Sequence, residues 1–423
     1  MKLDEAIAVQ KHLVQSLLDG VAAIGADPPG ITRDAYGRGE NEAHDLIRLA
    51  GEALGMQASI DAGANLSLRW AAEKREAPTI IIGSHLDSVV QGGNFDGAAG
   101  VIAGIGAVAA LRAAGITPHR DIEVLALRCE EAVWFGLGLI GSRCLLARLP
   151  QGALELRHAR TGKTLAESIA AAGGDPARLS QGTPLRDPGS IGAYLEVHIE
   201  QAPQLIEAGV PIAICLANPG NLRHPFIRIT GEDAHTGLPH RFRRDAALAG
   251  ADLSLCLEQL WLAEEAAGRP MAVTIGRFHT PVERHSLTAV AGDFEMSLDL
   301  RGYDAAHLVA LEAKLQEIVA DVAARRRVTI TLGERSSAAP GLMDPSLMDG
   351  LAKAASACGI TAARLHSPGT HDANNFAAVG VKTGMLLVRN QNGSHNPHEA
   401  METDDLMVAI AVIAQLLAKD TGG

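Results

Sequence analysis

The sequence predicts an α/β protein of two domains, and three observations support that prediction. At 423 residues the chain exceeds what a single hydrophobic core usually organises. Apolar β-branched runs alternate with helical periodicity in the N-terminal half and again near the C-terminus, which is typical of a mostly parallel sheet flanked by helices. Residues 218–336 follow a different order of elements. We therefore predict a large domain of residues 1–217 and 337–423, interrupted by an inserted domain.

The first eighty residues predict two helices and two strands that precede the central strand of the sheet. Apolar periodicity of 3.6 residues predicts helices over Leu3 to Ile24 and Glu40 to Ala53. Between them, Pro28 and Pro29 indicate a turn. Alternating segments then predict strands over Met56 to Asp61 and Asn65 to Trp70.

The next stretch, TIIIGSHLDSVVQGGNFDGAAGV at residues 79–101, begins as a buried parallel strand. His85 and Asp87 lie just past its carboxyl end, where open α/β sheets place their sites. Asp96 follows a glycine-containing loop, at the position of a helix N-cap. A histidine with carboxylates indicates metal ligation, although a core histidine and a simple helix cap are equally compatible with this stretch alone.

Two adjacent carboxylates follow the next predicted strand, which runs from Ile122 to Arg128. Glu130 and Glu131 are costly at the end of a buried strand unless they are charge-paired or bind a metal. A solvated helix start is the alternative interpretation. Beside the histidine and aspartates of the preceding strand, we interpret one glutamate as a ligand and its neighbour as a general base.

The segment YLEVHIEQ, residues 194–201, predicts a further strand. Its alternation places His198 on the same face as Glu196 and Glu200. A histidine within a strand is more often structural than catalytic. In this context we interpret His198 as a further nitrogen ligand.

The inserted segment predicts a four-stranded sheet with two helices on one face, in the order βαββαβ. The predicted elements are strand Phe226 to Thr230, helix Asp245 to Ala267, strands Ala272 to Phe278 and Asp293 to Leu300, helix Ala305 to Arg325 and strand Val328 to Leu332. The large domain then resumes. Its predicted elements are helix Pro345 to Cys358, strand Lys382 to Val388 and helix Leu406 to Lys419.

Composition excludes several classes of function. The net charge of −12 and an aromatic content of 3% argue against nucleic acid and anionic membranes as partners. The five cysteines lack CxxC spacing, so neither a disulfide framework nor a thiolate zinc site is indicated. The N-terminus lacks the pattern of a signal peptide, and no apolar run approaches the length of a membrane span. We therefore expect a cytoplasmic protein.

Eight segments, taken in order, resemble the M20 metallopeptidase superfamily. They are GSHLDSVVQGGNFDGAAGV (83–101), the pair Glu130 and Glu131, GSR (141–143), HIEQ (198–201), GEDAHTG (231–237), SLDLR (297–301), THDA (370–373) and GSHNPHE (393–399). The resemblance covers nearly the whole chain. It is specific to the hydantoinase/carbamoylase branch, which comprises N-carbamoyl-L-amino-acid hydrolases, allantoate amidohydrolases and β-ureidopropionases.

The resemblance implies a dinuclear metal site and a metal-dependent amidohydrolase. Two divalent metal ions, zinc, manganese, cobalt or nickel, would be bridged by Asp96. The other ligands would be His85 and His198 on one metal and Glu131 and His395 on the second. Asp87 would orient His85, and Glu130 would be the general base.

The resemblance also implies substrate contacts and a homodimer. The inserted domain would be a lid and dimerisation domain, and its His235 would reach across the dimer interface to polarise the scissile carbonyl. Gln201 would bind the amide or ureido end of the substrate, and Arg301 its carboxylate. Thr288 stands where the family places an asparagine that shares the carboxylate.

Several further positions depart from the family pattern. The glutamate pair continues as Ala132, Val133, Trp134 and Phe135 in place of Gly-Ser-Arg-Phe. The HIEQG motif ends in Ala202, and the HAGTTPM loop is altered to HTGLPH. Because none of these changes touches a predicted ligand, we expect intact chemistry with shifted specificity.

The expected function is hydrolysis of an N-carbamoyl or ureido compound to carbon dioxide, ammonia and an amine or amino acid. An N-acyl amino acid acylase or peptidase of the same superfamily is the alternative, because the same metal chemistry would serve it. A non-catalytic binding protein that retains the fold is a third interpretation.

Overall fold

The computed structural model describes residues 1–73 and 77–420. Two compact units are separated along the chain. The first comprises Met1–Asn218 and Leu342–Gly423, and the second comprises Pro219–Gly341. The predicted boundaries are 217/218 and 336/337.

The helices and strands of the described residues are as follows. The helices are α1 (Leu3–Ala8), α2 (Lys11–Gly25), α3 (Arg38–Ala53), α4 (Ala98–Ala113), α5 (Ile140–Leu145), α6 (Leu165–Ala171), α7 (Pro176–Leu179), α8 (Gln204–Ala208), α9 (Ala246–Ala266), α10 (Ala305–Arg326), α11 (Pro345–Ala357), α12 (Ala373–Ala378) and α13 (Thr403–Asp420). The strands are β1 (Ala26–Asp27), β2 (Gly30–Ile31), β3 (Gln57–Ile60), β4 (Leu66–Trp70), β5 (Thr79–His85), β6 (Ile122–Leu127), β7 (Ile191–Ile199), β8 (Ile212–Cys215), β9 (Ala217–Asn218), β10 (Gly220–Thr230), β11 (Ala234–His235), β12 (Met271–Thr274), β13 (Phe278–His279), β14 (Ala289–Val290), β15 (Asp293–Gly302), β16 (Thr329–Thr331), β17 (Ser336–Ala338), β18 (Gly341–Leu342), β19 (Ala363–Leu365) and β20 (Thr383–Val388).

The first unit is built on an eight-stranded sheet in the order β19-β8-β20-β7-β5-β6-β4-β3. The pairs β19/β8, β20/β7, β7/β5 and β5/β6 are parallel. The pairs β8/β20, β6/β4 and β4/β3 are antiparallel. The α/β prediction is confirmed. Three of the four parallel pairs lie at the centre of the sheet, and the fourth, β19/β8, lies at its edge.

The central strands are buried because helices cover them. Every residue of β5 and of β6 is buried, which explains their continuous apolar runs. Helix α4 packs against this sheet through small residues. An ideal Cβ at Gly100 would lie 2.1 Å from the carbonyl oxygen of Val197, so the glycine permits this close approach.

The predicted single helix over Leu3 to Ile24 is wrong, because the chain breaks it into α1 and α2. The amide of Gln10 donates to the carbonyl of Ile7, a tight turn that ends the first helix. The two pieces each bury their own apolar side, with Ile7 in α1 and Leu17 in α2 belonging to the same core cluster. Tertiary packing therefore overrides a continuous helical periodicity.

The second unit has an antiparallel sheet in the order β12-β15-β10-β16, with β13 also paired to β15 and β17 to β10. Helices α9 and α10 supply Leu253, Leu257, Leu311 and Leu315 to its core. The predicted strand over Ala272 to Phe278 is instead two short strands, β12 and β13, that pair with different parts of β15.

The expectation that no apolar run approaches membrane length is wrong for one helix of the described residues. By length and composition, α9 could cross a membrane, and 33% of its most apolar window is buried. Core helices of globular domains pass the same test. Leu253 and Leu257 of α9 lie in the core of the second unit, as expected of a core helix.

Candidate metal centre

Two groups of three side chains lie close enough to hold a metal ion, and they share Asp96. The first is His85, Asp96 and His198, and the second is Asp96, Glu131 and His395. Oδ1 of Asp96 lies 3.3 Å from Nε2 of His85 and 3.1 Å from Nε2 of His198. Oδ2 lies 3.5 Å from Nε2 of His395, which is 3.2 Å from Oε1 of Glu131. Asp96 therefore presents one oxygen to each group, and the structure brings all five predicted ligands together.

The sheet explains why residues distant in sequence meet at this place. His85 is the last residue of β5, and His198 lies near the end of the adjacent parallel strand β7. Glu131 follows β6, and His395 follows β20. Because these central strands are parallel, their carboxyl ends lie at one edge of the sheet.

Asp96 is not the N-cap of α4, contrary to the sequence-based expectation. Gly97 occupies that position with φ of 67°, a left-handed conformation that favours glycine. The amide of Asp96 donates to Oε1 of Glu399 at 3.2 Å, and the amide of Phe95 donates to the same oxygen at 2.8 Å. The side chain of Asp96 is thereby left to face the histidines.

Asp87 connects the loops that follow β5 and β6. Its Oδ1 accepts a hydrogen bond from the amide of Glu130 at 3.0 Å, and its Oδ2 accepts one from the amide of Glu131 at 3.1 Å. Its Oδ1 also lies 3.3 Å from Nδ1 of His85. The buried carboxylate of Asp87 thus fixes the backbone of Glu130 and Glu131. It also lies beside Nδ1 of His85, the ring nitrogen that does not face Asp96.

Glu130 lies beside the first ligand group, with Oε2 4.0 Å from Nε2 of His85. Burial raises the pKa of Glu130 well above its usual range, and the Glu131 carboxylate adds to the rise against the opposing effect of His85. The residue before it, Cys129, has φ of 51°, and its amide donates to Oε1 of Glu40 at 3.0 Å. This left-handed residue turns the chain sharply out of β6.

The histidines and carboxylates of the two ligand groups shift each other's pKa toward the charged forms. Burial alone would lower the pKa of His85, yet the carboxylates of Asp87 and Asp96 raise it well above its usual range. Hydrogen bonds to Asp96 and Glu131 raise the pKa of His395 to about 11. Burial would raise the pKa of Asp96, but His198 and the other histidines hold it well below its usual range.

The side chains present fit divalent cations. Nε2 of His85 is buried and makes no hydrogen bond to any residue that the structure describes, although it points at Asp96. A cation between the two would satisfy this orphaned nitrogen. The donors are imidazole nitrogens and carboxylate oxygens without thiolate, a set compatible with zinc, manganese, cobalt or nickel.

Comparison with known proteins agrees with this geometry. Residues 81–419 match Peptidase family M20/M25/M40. An N-carbamoyl-L-amino acid amidohydrolase of Geobacillus stearothermophilus is 34% identical over 95% of this chain and 96% of its own. A ureidoglycolate hydrolase of Arabidopsis thaliana is 26% identical over 99% of this chain and 88% of its own. The crystal structure of a hydantoinase/carbamoylase family amidase from Burkholderia ambifaria has 31% identity and a TM-score of 0.85, covering 97% of this chain and 98% of that one.

The chain belongs to peptidase family M20, in its hydantoinase/carbamoylase branch. Its relatives in that branch are named as amidohydrolases and deiminases. This M20 protein is accordingly a hydrolase acting on carbon–nitrogen bonds other than peptide bonds.

Gln201, which we expected to bind the substrate, contacts Asp96, the candidate bridging ligand. Its Nε2 donates to Oδ2 of Asp96 at 2.9 Å. The hydroxyl of Ser394 lies 2.6 Å from the same oxygen and 2.7 Å from Oε2 of Glu399. Gln201 lies in the motif HIEQ, and Ser394 and Glu399 lie in GSHNPHE, but spacing alone did not indicate these contacts with Asp96.

The other expected substrate residues of this M20 chain lie in the second unit. His235 is exposed in β11 and pairs with Ala289 of β14. The carbonyl of Thr288 accepts a hydrogen bond from the amide of Thr236 at 3.0 Å, which brings Thr288 and His235 to the same two-stranded ribbon. Arg301 lies in β15, where its guanidinium contacts Oδ2 of Asp299 at 3.2 Å.

Two buried side chains beside the site, Arg33 and His371, were assigned no role from the sequence, although His371 lies in the THDA motif. Arg33 is fully buried and donates to the carbonyl of Leu86 at 2.6 Å and to Oδ1 of Asn94 at 3.0 Å, so it holds the loop that carries Asp87 and Asp96. Burial lowers the pKa of His371 well below its usual range, and its ring lies 4.1 Å from that of His198. An isolated arginine or histidine carries no sequence signal for such a contact.

Trp134, the most evident departure from the M20 pattern, is 1% exposed and lies in an apolar cluster with Tyr36 and Phe135. Its Nε1 donates to the carbonyl of Ser88 at 3.0 Å, and its ring stacks on His158 at 5.2 Å. The indole is therefore held inside the protein by packing and by one hydrogen bond. Trp134 joins the loop after β6 to the loop after β5.

Proposed function

We propose that this protein hydrolyses an N-carbamoyl or ureido compound to carbon dioxide, ammonia and an amine or amino acid. The observation that carries the proposal is the sharing of Asp96 by two nitrogen-and-oxygen ligand groups beside Glu130. The printed names of two relatives, N-carbamoyl-L-amino acid amidohydrolase and ureidoglycolate hydrolase, support the substrate class.

Two divalent cations are part of the proposal. His85, Asp96 and His198 would hold one, and Asp96, Glu131 and His395 would hold the other. When bound, such cations supply Lewis acidity and lower the pKa of a water molecule.

Glu130 is the proposed general base. Its carboxylate would take a proton from the attacking water and deliver it to the departing nitrogen. Burial raises the pKa of Glu130, which makes its carboxylate a stronger base. Asp87 would keep the base in place, because it accepts the hydrogen bond from the amide of Glu130.

The proposal assigns substrate contacts to four residues. Gln201 would exchange its hydrogen bond to Asp96 for one to the ureido group. In the second unit, proposed as a lid and dimerisation domain, Arg301 would exchange its contact with Asp299 for one with the substrate carboxylate. Thr288 would contact the same carboxylate, at the position where the family has an asparagine. The exposed His235 would stabilise the oxyanion in the active site of a partner subunit.

The test is release of ammonia from a panel of N-carbamoyl amino acids, allantoate, ureidopropionate and matched N-acetyl amino acids. Metal-stripped protein is resupplied with manganese, cobalt, nickel or zinc. Glu130→Gln tests the base, and Glu207→Gln, an exposed carboxylate on α8, is the matched control.

The expected result is metal-dependent ammonia release that falls by about 10²- to 10⁴-fold in Glu130→Gln and is unchanged in Glu207→Gln. Free amino acid from the acetyl compounds, with no ammonia from the carbamoyl set, would replace the proposal with the acylase alternative. No turnover of any compound in any metal would favour a binding protein.

A further inference from the structure

The second unit contains a cleft whose lining is mostly arginine. Its volume is about 620 Å³, and it is lined by His240, Arg241, Arg243, Asp245, Leu248, Arg325, Arg326 and Arg327. Five arginines converge there in a protein whose net charge is −12. Such a concentration of like charge is costly unless something compensates for it.

Two of these arginines have an ordinary structural explanation. Arg325 and Arg326 lie in the last turn of α10, where cations favour the helix dipole. Both donate to Oδ2 of Asp252, at 3.0 Å and 2.8 Å, and Arg325 also donates to Asp321. These two charges are therefore compensated within the unit.

The other three arginines have no carboxylate partner among residues 1–73 and 77–420. Arg243 donates to the carbonyls of Leu238 and Thr236, which hold the loop before α9. Arg327 donates to the carbonyl of Arg243 at 2.9 Å. Arg241 lies over the ring of Phe242, with Cζ 4.6 Å from its centroid. Carbonyls and a ring leave the positive charge of each guanidinium uncompensated.

The carboxylate that lines the cleft does not neutralise this excess. Asp245 caps α9, since its Oδ1 accepts a hydrogen bond from the amide of Leu248 at 3.0 Å. Counting Asp245 with Asp252 and Asp321, three carboxylates face five arginines. The excess of positive charge suits a ligand with two negative charges, and guanidinium groups match the oxygens of phosphate in a bidentate manner.

We propose that this cleft binds a small phosphate-bearing anion. The five arginines flank it from two sides. Arg241 and Arg243 precede α9, and Arg325, Arg326 and Arg327 lie at the end of α10. A cleft of about 620 Å³ suits a free phosphate or a small organic phosphate. The overall charge opposes binding of a nucleic acid strand. None of its lining residues belongs to the candidate metal centre, although His240 ends the HTGLPH loop that carries His235.

The test is calorimetric titration of the metal-loaded protein with inorganic phosphate, pyrophosphate and adenosine monophosphate, at constant ionic strength set with chloride. The double variant Arg241→Gln/Arg327→Gln removes the two exposed arginines that have no carboxylate partner. Arg335→Gln, which removes an arginine paired with Glu312 in the same unit, is the control for net charge. Thermal unfolding of each variant verifies that it is folded.

We expect saturable binding that weakens by at least about tenfold in the double variant and by less than about twofold in Arg335→Gln. Preference for phosphate and pyrophosphate identifies a free anion as the ligand class, whereas preference for adenosine monophosphate identifies an organic phosphate. Equal binding by the wild type and a folded double variant overturns the proposal. So does binding that is lost in Glu131→Gln, since the anion would then occupy the metal centre, or binding only to an oligonucleotide.

Discussion

Gly97 faces the imidazole of His85 so closely that an ideal Cβ on the glycine would lie 2.5 Å from the ring atoms. Its φ of 67° is also one that L side chains rarely adopt. Gly97, which follows Asp96, is therefore constrained both by its positive φ and by the imidazole of His85 beside it. We expect Gly97→Ala to displace His85 and to lower metal content and kcat/KM by at least about tenfold.

Gly115→Ala is the matched control, because Gly115 has φ of 72° and nothing within 4 Å of an added Cβ. It tests the effect of a side chain at a glycine of positive φ that lies away from the ligands. Equal loss of bound metal in both variants would show that general destabilisation, and not the contact with His85, explains the result.

Asp87→Asn is expected to lower kcat/KM by about 10- to 100-fold. The amide oxygen retains one acceptor, but the negative charge that faces His85 and one of the two hydrogen bonds to the glutamate amides are lost. Steady-state kinetics and metal analysis measure the effect. Asp61→Asn is the control, since Asp61 likewise accepts two backbone amides, in the turn between β3 and β4. Its kcat/KM should stay close to that of the wild type.

Cation uptake is expected to release protons. In the cation-free protein, hydrogen bonds to Asp96 and Glu131 raise the pKa of His395 to about 11, so this ring carries a proton at neutral pH. Burial opposes the charged forms of His85 and His198, but neighbouring carboxylates raise the pKa of both rings. A cation binds only the neutral ring, and protons therefore compete with it. Apparent affinity should rise with pH, by about tenfold per pH unit for each proton released, and fall in acid.

Titration of zinc into metal-stripped protein, in buffers of different ionisation enthalpy, counts these protons. Substitution of His395→Gln should reduce the count by about one. Zero proton release in the wild type would mean that the histidines are already neutral, contrary to the raised pKa values.

Trp134→Phe is expected to retain the packing of the apolar cluster but to lose the hydrogen bond to the carbonyl of Ser88. We expect a loss of about 1 kcal/mol in the free energy of unfolding and a lower kcat, because the loop that carries Glu130 is less firmly held. Trp261→Phe removes an exposed hydrogen bond to Glu265 and should change neither quantity. An unchanged kcat in Trp134→Phe would assign the indole to stability alone.

Most of the candidate metal centre could be predicted from the sequence, because its residues lie at the ends of predicted strands. The apolar runs of β5 and β6 end directly at His85 and before Glu131, and parallel pairing brings such ends to one edge. His198 was identified through alternation in β7. His395, which follows β20 in a loop with a left-handed residue, depended on the resemblance to a family, because no periodicity marks it.

Other features required tertiary contacts that one sequence does not encode locally. The break between α1 and α2, the left-handed backbone of Cys129 and the burial of Trp134 each depend on neighbours distant in the chain. The arginine cleft is a further example. It joins the loop before α9 to the end of α10, about eighty residues apart, and neither segment alone indicates a site.

The sharing of Asp96 by two ligand groups has a thermodynamic consequence. Because one carboxylate gives Oδ1 to His85 and His198 and Oδ2 to the side of His395, the two sites cannot fill independently. If binding of a first cation changes the binding free energy of a second, binding of the second changes that of the first by the same amount. If two cations bind as proposed, metal loading is a reciprocal, coupled equilibrium that a single dissociation constant would not describe.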